Sequence, residues 1–376
     1  MAAEIHFFHC GNGDTILVRG GDEWGLVDAN FVKYLEVRDR VKRVLKGVKR
    51  LRFVCITHFD LDHIRGLAAF LEDNFCHKNW RGNLSLRVDQ IIQPLSPISL
   101  PIIKKLKEAA IRRGVGELVG DTEFRFSSEA GKLMELLCAA AEKSIGLRGK
   151  ATGVPEFPNL SPGGFLLGPN IHEQVLGMGP WRIVALGPMR NTADLFTEWV
   201  KNAFGAGVPL REVFARIQSN EVSRVLALTL AETRMTVLLT GDSTPEEIKA
   251  ALQEWNVLNK AYGIPEKHFD CVKVSHHGAA SCHFPGLYRS HCRSGVSRAV
   301  ICASDDGKHH PHLDVITELK TQLIDYRVTG RSGPSPAPAR MPGVPMGAPR
   351  LTAPEDIVLR FSGSPDWIGG RLSVLH

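Results

Sequence analysis

Along the first sixty residues, apolar side chains form short runs of the length of a β-strand, separated by polar and glycine-rich positions. Four such runs predict strands, over residues 5–9, 15–18, 25–27 and 51–57. Between the first two lies Gly11-Asn12-Gly13-Asp14, where glycine permits the positive φ of a tight turn. The run at 51–57 is mostly apolar, which is typical of a strand buried on both faces.

Helical periodicity alternates with further strands in the rest of the chain. Residues 38–52 and 64–75 show the apolar spacing of helices, and a last helix is predicted over 310–325. Further strands are predicted over residues 88–93, 181–186, 224–230, 235–240, 271–275 and 298–303. Strands and helices that succeed each other in this way indicate an α/β protein.

Two segments interrupt this alternation. Residues 98–180 are first helical and then rich in proline and glycine, so we interpret them as an insertion or cap on a main domain that spans residues 1–327. Residues 331–354 contain seven prolines, a composition that buries too little apolar surface to fold, and they predict a linker over 328–356. The last apolar runs, 357–361 and 371–375, predict a C-terminal hairpin within 357–376.

Composition excludes several classes of protein. The chain has 376 residues, of which 43% are hydrophobic and 23% charged, and this is typical of globular rather than disordered proteins. No apolar run reaches the ~18–20 residues that cross a bilayer, and the N-terminal residues do not resemble a secretory signal. The eight cysteines are neither dense nor regularly spaced, so we expect reduced thiols and a cytoplasmic location.

Positive charge is concentrated in the helix predicted over residues 38–52. The chain has 46 Lys and Arg against 40 Asp and Glu, a formal charge of +6, and this segment holds eight of the basic residues beside one acid, Asp39. Arg43, Lys46 and Lys49 are the candidates for contact with nucleic acid. A solvated helix surface without a ligand explains the same pattern, so this alternative stays open.

Four potential metal ligands lie within six residues in the segment Thr57-His58-Phe59-Asp60-Leu61-Asp62-His63. In an extended segment, positions 58, 60 and 62 point to one side, and a turn into the following helix brings position 63 to the same place. Imidazole and carboxylate together suit Zn²⁺, Mn²⁺ or Fe²⁺. A helix cap at Asp62 accounts for only part of this pattern. The segment therefore predicts a metal site.

Two later strands end in residues of the same chemistry. Asp242 follows the strand predicted over 235–240, and His276 and His277 follow the strand over 271–275. Sites in α/β proteins gather at the carboxyl ends of strands, so we expect these residues to meet the 58–63 segment. His310 opens the last predicted helix and either reaches the same site or only caps that helix.

Taken in order, Thr-His-x-Asp-x-Asp-His at 57–63, Leu-Leu-Thr-Gly-Asp at 238–242 and Val-Ser-His-His-Gly at 274–278 resemble the motifs of metallo-β-lactamase-fold hydrolases. They most resemble the hydrolase domain of ComEC-type competence proteins and their free-standing relatives. The similarity extends to the Gly-x-Gly-Asp turn at 11–14 and to His-Pro at 310–311. It implies an αββα four-layer sandwich with a mixed helical and irregular insertion, in which residues 1–327 are the catalytic domain.

The resemblance also implies two divalent ions, Zn²⁺ or Mn²⁺. Their ligands would be His58, Asp60, Asp62, His63, Asp242 and His277. The first two residues would belong to one ion and the next two to the other, with Asp242 as the bridge and His277 completing the second site. Asp60 stands where the family has histidine, and a further family histidine between His63 and Asp242 has no clear counterpart, so we expect a weak or absent first site.

Further roles follow from the same resemblance. Asp62, His276 and His310 would be the catalytic residues, with His276 in contact with the substrate or its phosphate. Asp28 would support the ligands, and Asn220 falls where the ComEC-like group carries asparagine. A separate structural zinc site is a weaker possibility, because donors also occur at Cys282, His283, His291 and Cys292.

Metal-activated water and an in-line displacement at phosphorus need no nucleophilic side chain. The resemblance to the ComEC-like group, together with the basic segment 38–52 and the formal charge of +6, implies a metal-dependent phosphodiesterase, with DNA as the substrate in the leading hypothesis. A second hypothesis keeps the fold and replaces the substrate with a small phosphoester, lactone or thioester. A third is a degenerate, non-catalytic subunit that binds a partner protein through the insertion or the proline-rich segment.

Overall fold

A computed structural model describes residues 3–48, 50–58, 60–75, 88–92, 133, 160–161, 165–166, 175–188, 222–262, 268–303, 310–330, 356–361 and 365–368. Within these ranges, no helix combines the length and the apolar character needed to cross a membrane.

Strands dominate the described part of the chain. They are β1 Ala3–Phe7, β2 Thr15–Gly20, β3 Glu23–Ala29, β4 Leu51–Cys55, β5 Val88–Ile92, β6 Leu160–Ser161, β7 Phe165–Leu166, β8 Val175–Met178, β9 Trp181–Ala185, β10 Leu226–Leu230, β11 Thr236–Leu239, β12 Phe269–Lys273, β13 Arg298–Ile301, β14 Asp325–Val328, β15 Ile357–Phe361 and β16 Pro365–Ile368. The α-helices are α1 Val37–Val44, α2 Leu61–Ile64, α3 Leu67–Phe75, α4 Pro245–Tyr262, α5 Leu287–His291 and α6 Leu313–Thr321. Single 3₁₀ turns lie at Lys33–Leu35, Ser275–Gly278 and Ala280–Cys282.

These strands form two mixed sheets. Among the described residues, the first sheet has the order β16-β15-β1-β2-β3-β4-β5-β7-β6, and the second has the order β14-β13-β12-β11-β10-β9-β8. Pairing is parallel from β3 through β4 to β5 and from β11 through β12 and β13 to β14. The carboxyl ends of these parallel strands carry the chemistry described below.

The main core lies between the two sheets. Phe53 and Cys55 of β4 belong to the same apolar cluster as Trp181 of β9 and Leu228 of β10. On the second sheet, α4 and α6 contribute to another cluster that also contains Val272 of β12. On the opposite face of the first sheet, Leu17, Leu26 and Val54 are also fully buried, so the central part of that face is covered as well. The fold is therefore a mixed α/β sandwich with helices outside two sheets, and the predicted fold class is confirmed.

The predicted strands are found within a few residues of their expected limits, with three differences. Val175–Met178, assigned in the sequence analysis to the insertion, forms an antiparallel pair with β9 in the second sheet. Asp325–Val328, of which only residue 325 was included in the predicted helix and residue 328 in the predicted linker, is the edge strand of the same sheet. The C-terminal hairpin pairs Ile357–Phe361 with Pro365–Ile368, and the expected second strand, 371–375, lies outside the described residues.

The C-terminal hairpin is part of the first sheet. β15 pairs antiparallel with β1, so chain segments more than 340 residues apart in sequence are neighbours in this sheet. Arg360 donates hydrogen bonds to Glu4 across this pair, at 3.0 and 2.8 Å. The hairpin therefore closes the sheet beside its first strand.

The helix predicted over 38–52 is shorter than its charge pattern indicated. It spans Val37–Val44, and the chain turns before entering β4 at Leu51. Arg40, which the sequence placed on the basic outer face, is buried and forms an ion pair with Asp356. Asp356 also accepts a hydrogen bond from the backbone N–H of His9, at 2.8 Å. Arg40 therefore connects α1 to the segment that leads into β15.

We expect Asp356→Ala to lower the free energy of unfolding by about 3–5 kcal/mol, because it leaves the guanidinium of Arg40 buried without its counter-ion. Asp73→Ala is the matched control, since it removes the exposed partner of Arg38 on the same helix and should cost less than about 1 kcal/mol. Urea unfolding at constant m-value measures both. The double variant R40M/D356A should recover part of the loss, and equal costs for D356A and D73A would contradict this account.

Candidate metal centre

The ends of three parallel strands deliver the candidate ligands. β4 continues into Thr57 and His58, β11 into Asp242, and β12 into His276 and His277. After β4 the chain enters α2, where the backbone N–H of His63 donates to the carbonyl of Asp60 at 2.9 Å. The short helix brings Asp62 and His63 to the same end of the sandwich.

Four side chains converge most tightly. One ligand atom from each of Asp62, His63, Asp242 and His277 lies within 4.8 Å of every other one. Nε2 of His277 lies 3.3 Å from Oδ2 of Asp62 and 3.5 Å from Oδ2 of Asp242, and Nε2 of His63 lies 3.3 Å from the same Asp242 oxygen. Three of the four residues are buried, and the Asp62 side chain is 37% exposed, so the cluster opens to solvent on the Asp62 side.

The hydrogen bonds of His63 and His277 suit metal coordination. Nδ1 of His63 contacts Oδ2 of Asp28 at 2.8 Å, and Nδ1 of His277 contacts the carbonyl of Cys302 at 2.7 Å. Because a carbonyl or an ionised carboxylate can only accept, these contacts hold a proton on Nδ1, so Nε2 is the nitrogen that faces the other candidate ligands. Both Nε2 atoms are buried without a hydrogen-bond partner among the described residues. The donor set and these orphaned nitrogens fit a divalent metal ion.

The ligands assigned to the first ion lie nearby but are less tightly clustered. Nε2 of His58 is 3.6 Å from Oδ2 of Asp60 and 3.8 Å from Oδ2 of Asp242. Nδ1 of His58 contacts the hydroxyl of Thr57 at 3.0 Å, and that hydroxyl donates to Asp28 at 2.5 Å. Asp28 thus supports two imidazoles, one directly and one through Thr57, which is the supporting position that the resemblance implies.

The electrostatics of the centre favour cations. Burial lowers the pKa of His63, but the carboxylates of Asp242, Asp62 and Asp28 outweigh burial and hold the pKa well above its ordinary value. The pKa of His277 is raised for the same reason, with Asp242 as the main carboxylate. Burial raises the pKa of Asp242, but the neighbouring His63 and His277 hold it well below its usual range. A bound cation would therefore meet ionised carboxylates.

A strained turn presents the histidine pair. His276 and His277 have φ of 45° and 55°, in the left-handed region that non-glycine residues seldom adopt. Nδ1 of His276 lies 3.2 Å from Sγ of Cys282, and its side chain is 30% exposed. The ring of His310 lies 5.8 Å from that of His276 and 6.3 Å from that of His277, so the structure brings His310 to the same site.

Two buried residues near the centre, Asp14 and Lys273, were missed as functional candidates. Oδ2 of Asp14 lies 2.5 Å from Nζ of Lys273, which also lies 3.5 Å from Oδ1 of Asp242. A charged residue inside the apolar run 271–275 was the signal that marked Lys273. Asp14, Asp28 and His63 also lie close enough to hold a metal. Those carboxylates already contact Lys273, Thr57 and His63, so this group supports the main cluster.

The Gly-Asn-Gly-Asp turn connects two of the metal motifs. The backbone N–H of Asp14 donates to the carbonyl of Asp62 at 3.3 Å, and the N atom of Gly13 lies 3.3 Å from Nδ1 of His277. Gly13 has φ of +132°, and a Cβ there would lie 2.2 Å from the Asp62 carbonyl oxygen. Only glycine fits this approach, and the turn therefore holds the Asp62 backbone beside His277.

Of the other residues that the sequence analysis named, some are exposed and some lie outside the described residues. Arg43 and Lys46 are exposed on and after α1, whereas Lys49 and Asn220 lie outside the described residues.

The alternative structural zinc site is wrong. His283 pairs with Glu318 and Cys282 contacts His276, and no cluster of donors within metal-binding distance in the described ranges contains either cysteine of that group. The six cysteines in the described part are buried free thiols.

A family model matches the part of the chain that contains the first metal motif. Residues 10–78 match the family model of the metallo-beta-lactamase superfamily. A search of curated proteins found no match. The matched segment contains the Gly-Asn-Gly-Asp turn, Asp28 and the whole motif at 57–63.

Solved structures with similar folds share little sequence with the chain. The metallo-beta-lactamase fold protein YhfI from Bacillus subtilis is 12% identical, with a TM-score of 0.39 over 87% of this chain and 96% of that chain. Unliganded yeast PDE1 is 13% identical, with a TM-score of 0.40 over 87% and 96% of the two chains. A diphosphatase from the PhnP family is 8% identical, with a TM-score of 0.37 over 87% and 94%.

The assignment rests on the family match together with the order of strands and ligands. The family model covers the first metal motif, and Asp242 and His277 complete the same cluster from the second sheet. Residues 10–78 therefore match the metallo-β-lactamase superfamily model, and the described residues form a mixed α/β fold of two sheets and helices.

Proposed function

We propose that this metallo-β-lactamase superfamily hydrolase is a metal-dependent phosphodiesterase that cleaves DNA. The observation that carries the proposal is the convergence of Asp62 with three buried residues, His63, Asp242 and His277, whose imidazole Nε2 atoms are buried without a hydrogen-bond partner among the described residues. Such a cluster suits a divalent ion, either Zn²⁺ or Mn²⁺. When bound, such an ion lowers the pKa of water and neutralises charge that develops on phosphoryl oxygens.

The residues around the cluster have separate tasks in this proposal. Asp62 is the exposed carboxylate of the set, and it accepts a hydrogen bond that orients the attacking water. Nδ1 of His276 contacts Sγ of Cys282, and Nε2 of His276 is directed towards the site. There Nε2 contacts an anionic phosphate of the substrate. His310 lies beside His276 and adds a second imidazole on the same side. No side-chain nucleophile is needed.

DNA as the substrate is supported by surface charge and by the motif resemblance. The chain has a formal charge of +6, and Arg43 and Lys46 are exposed on the segment that the sequence marks as basic. Arg40 is buried and does not contribute to this basic surface, whereas Arg43 and Lys46 do. Phosphate contacts by lysine and arginine give nucleic-acid binding most of its salt dependence.

Asp242→Asn should reduce cleavage of linear DNA by more than about 100-fold, because losing a residue that merely supports a metal ligand already costs ~10–100-fold. The matched control is Asp73→Asn, an exposed aspartate of α3 that should leave cleavage unchanged. Gel assays with Mn²⁺ or Zn²⁺, with and without a chelator, measure the effect. If wild-type protein with either metal never cuts DNA or a model phosphodiester, the proposed function is wrong.

The double variant R43Q/K46Q should reduce the slope of log(kcat/KM) against log[salt] by about 2 for duplex DNA, since each lost phosphate contact lowers it by ~1. Hydrolysis of a small model phosphodiester should not change. The control K249Q/K260Q removes two exposed lysines of α4 and should keep the wild-type slope. A wild-type slope near zero would instead favour a small-molecule substrate.

A further inference from the structure

Lys273 occupies an unusual place for a lysine. It is the last residue of β12, all five of whose residues are buried, and its side chain has no exposed surface. Burying an ammonium costs several kcal/mol unless the surrounding groups compensate it. Two carboxylates and one carbonyl provide that compensation. Nζ lies 2.5 Å from Oδ2 of Asp14 and 2.8 Å from the carbonyl of Gly241, whereas Oδ1 of Asp242, at 3.5 Å, is within ion-pair distance but not hydrogen-bonded.

The charge state of Lys273 follows from these neighbours. Burial alone lowers the pKa of the ammonium, but the carboxylates of Asp14 and Asp242 raise it by more, so its pKa lies above the ordinary lysine value. Lys273 is therefore a fixed positive charge inside a cluster of carboxylates.

The two oxygens of Asp242 face different partners. Oδ1 faces the ammonium of Lys273. Oδ2 faces the histidines, and its distances to their Nε2 atoms are 3.3 Å for His63, 3.5 Å for His277, and 3.8 Å for both His58 and His276. One oxygen of the Asp242 carboxylate thus faces the ammonium of Lys273, and the other faces the imidazoles.

Lys273 also hydrogen-bonds to the backbone of Gly241, the residue that precedes Asp242. The Gly241 carbonyl accepts from Lys273 Nζ and also from the backbone N–H of His276, at 3.2 Å. Gly241 has φ of +53°, and a Cβ there would lie 2.5 Å from Oγ of Ser223. Ser223 Oγ in turn accepts from the backbone N–H of Asp242 at 3.0 Å. The turn is therefore fixed from both sides.

We propose that Lys273 is a positioning residue that reserves Oδ1 of Asp242, so that this carboxylate offers a single oxygen, Oδ2, to the metal centre. This inference rests on the proposed metal dependence but not on DNA as the substrate. The competing explanation is that Lys273 only neutralises Asp14, whose backbone holds the Gly-Asn-Gly-Asp turn against Asp62. The two explanations differ in what happens when both charges of the Lys273–Asp14 pair are removed together.

The test is isothermal titration of Mn²⁺ into metal-free, full-length protein without substrate. The variant K273M/D14N removes both charges with side chains of similar size, so it keeps the charge balance but frees Asp242. We expect its Kd for Mn²⁺ to rise about 10–100-fold, as for other residues that orient a ligand. D14N alone is measured beside it: this variant keeps the ammonium on Gly241 and Asp242, so its Kd for Mn²⁺ should rise less than that of the double variant.

Circular dichroism and the thermal midpoint establish that each variant is folded. Should K273M/D14N not fold, K273Q/D14N, which keeps a neutral donor at this position, is measured against the same criterion. Wild-type affinity in the folded double variant would overturn the inference and leave Lys273 as the counter-ion of Asp14. If the wild-type protein binds neither Mn²⁺ nor Zn²⁺, the proposed function is wrong too. Because wild-type affinity in the double variant overturns only the role of Lys273, the two failures are distinguishable.

Discussion

The site depends on the burial of like charges at one end of a two-sheet sandwich. The carboxylates of Asp28, Asp62 and Asp242 all lie within 3.9 Å of the imidazole of His63. Two of these carboxylates, Asp28 and Asp242, are almost entirely removed from water. Carboxylates buried in this way persist only if positive charge and hydrogen bonds compensate them. The protein supplies part of this compensation through imidazoles and Lys273, and the orphaned Nε2 atoms mark where a metal ion would supply more.

Much of the fold and of the candidate site could be predicted from the sequence, because both rest on short-range patterns. Buried parallel strands such as Leu51–Cys55 appear as apolar runs, and chemistry at their carboxyl ends follows directly after those runs. His58, Asp60, Asp62 and His63 were therefore identified from one segment. Asp242 and His277 follow the same rule on the second sheet, and all six lie at one end of the structure.

The remaining features depend on contacts between distant segments and left little local signal. Arg40 has the spacing of a solvated helix residue, but it is buried in an ion pair with Asp356, more than 300 residues away, and donates to the carbonyl of His9. β14 is four residues long and follows a helix too closely for periodicity to separate the two. Lys273 stands out as a charge within an apolar run, but its contacts could not be predicted locally, because the position of its ammonium depends on Asp14 and on the Gly241 turn.

The central claim is that Asp62, His63, Asp242 and His277 hold a divalent ion. The most direct test is an anomalous difference map from crystals grown with Mn²⁺ or Zn²⁺, collected at the absorption edge of that metal. The account predicts a peak about 2.0–2.2 Å from Nε2 of both His63 and His277 and from Oδ2 of Asp242. A map without a peak among these residues, or with the metal bound only elsewhere on the protein, would contradict it.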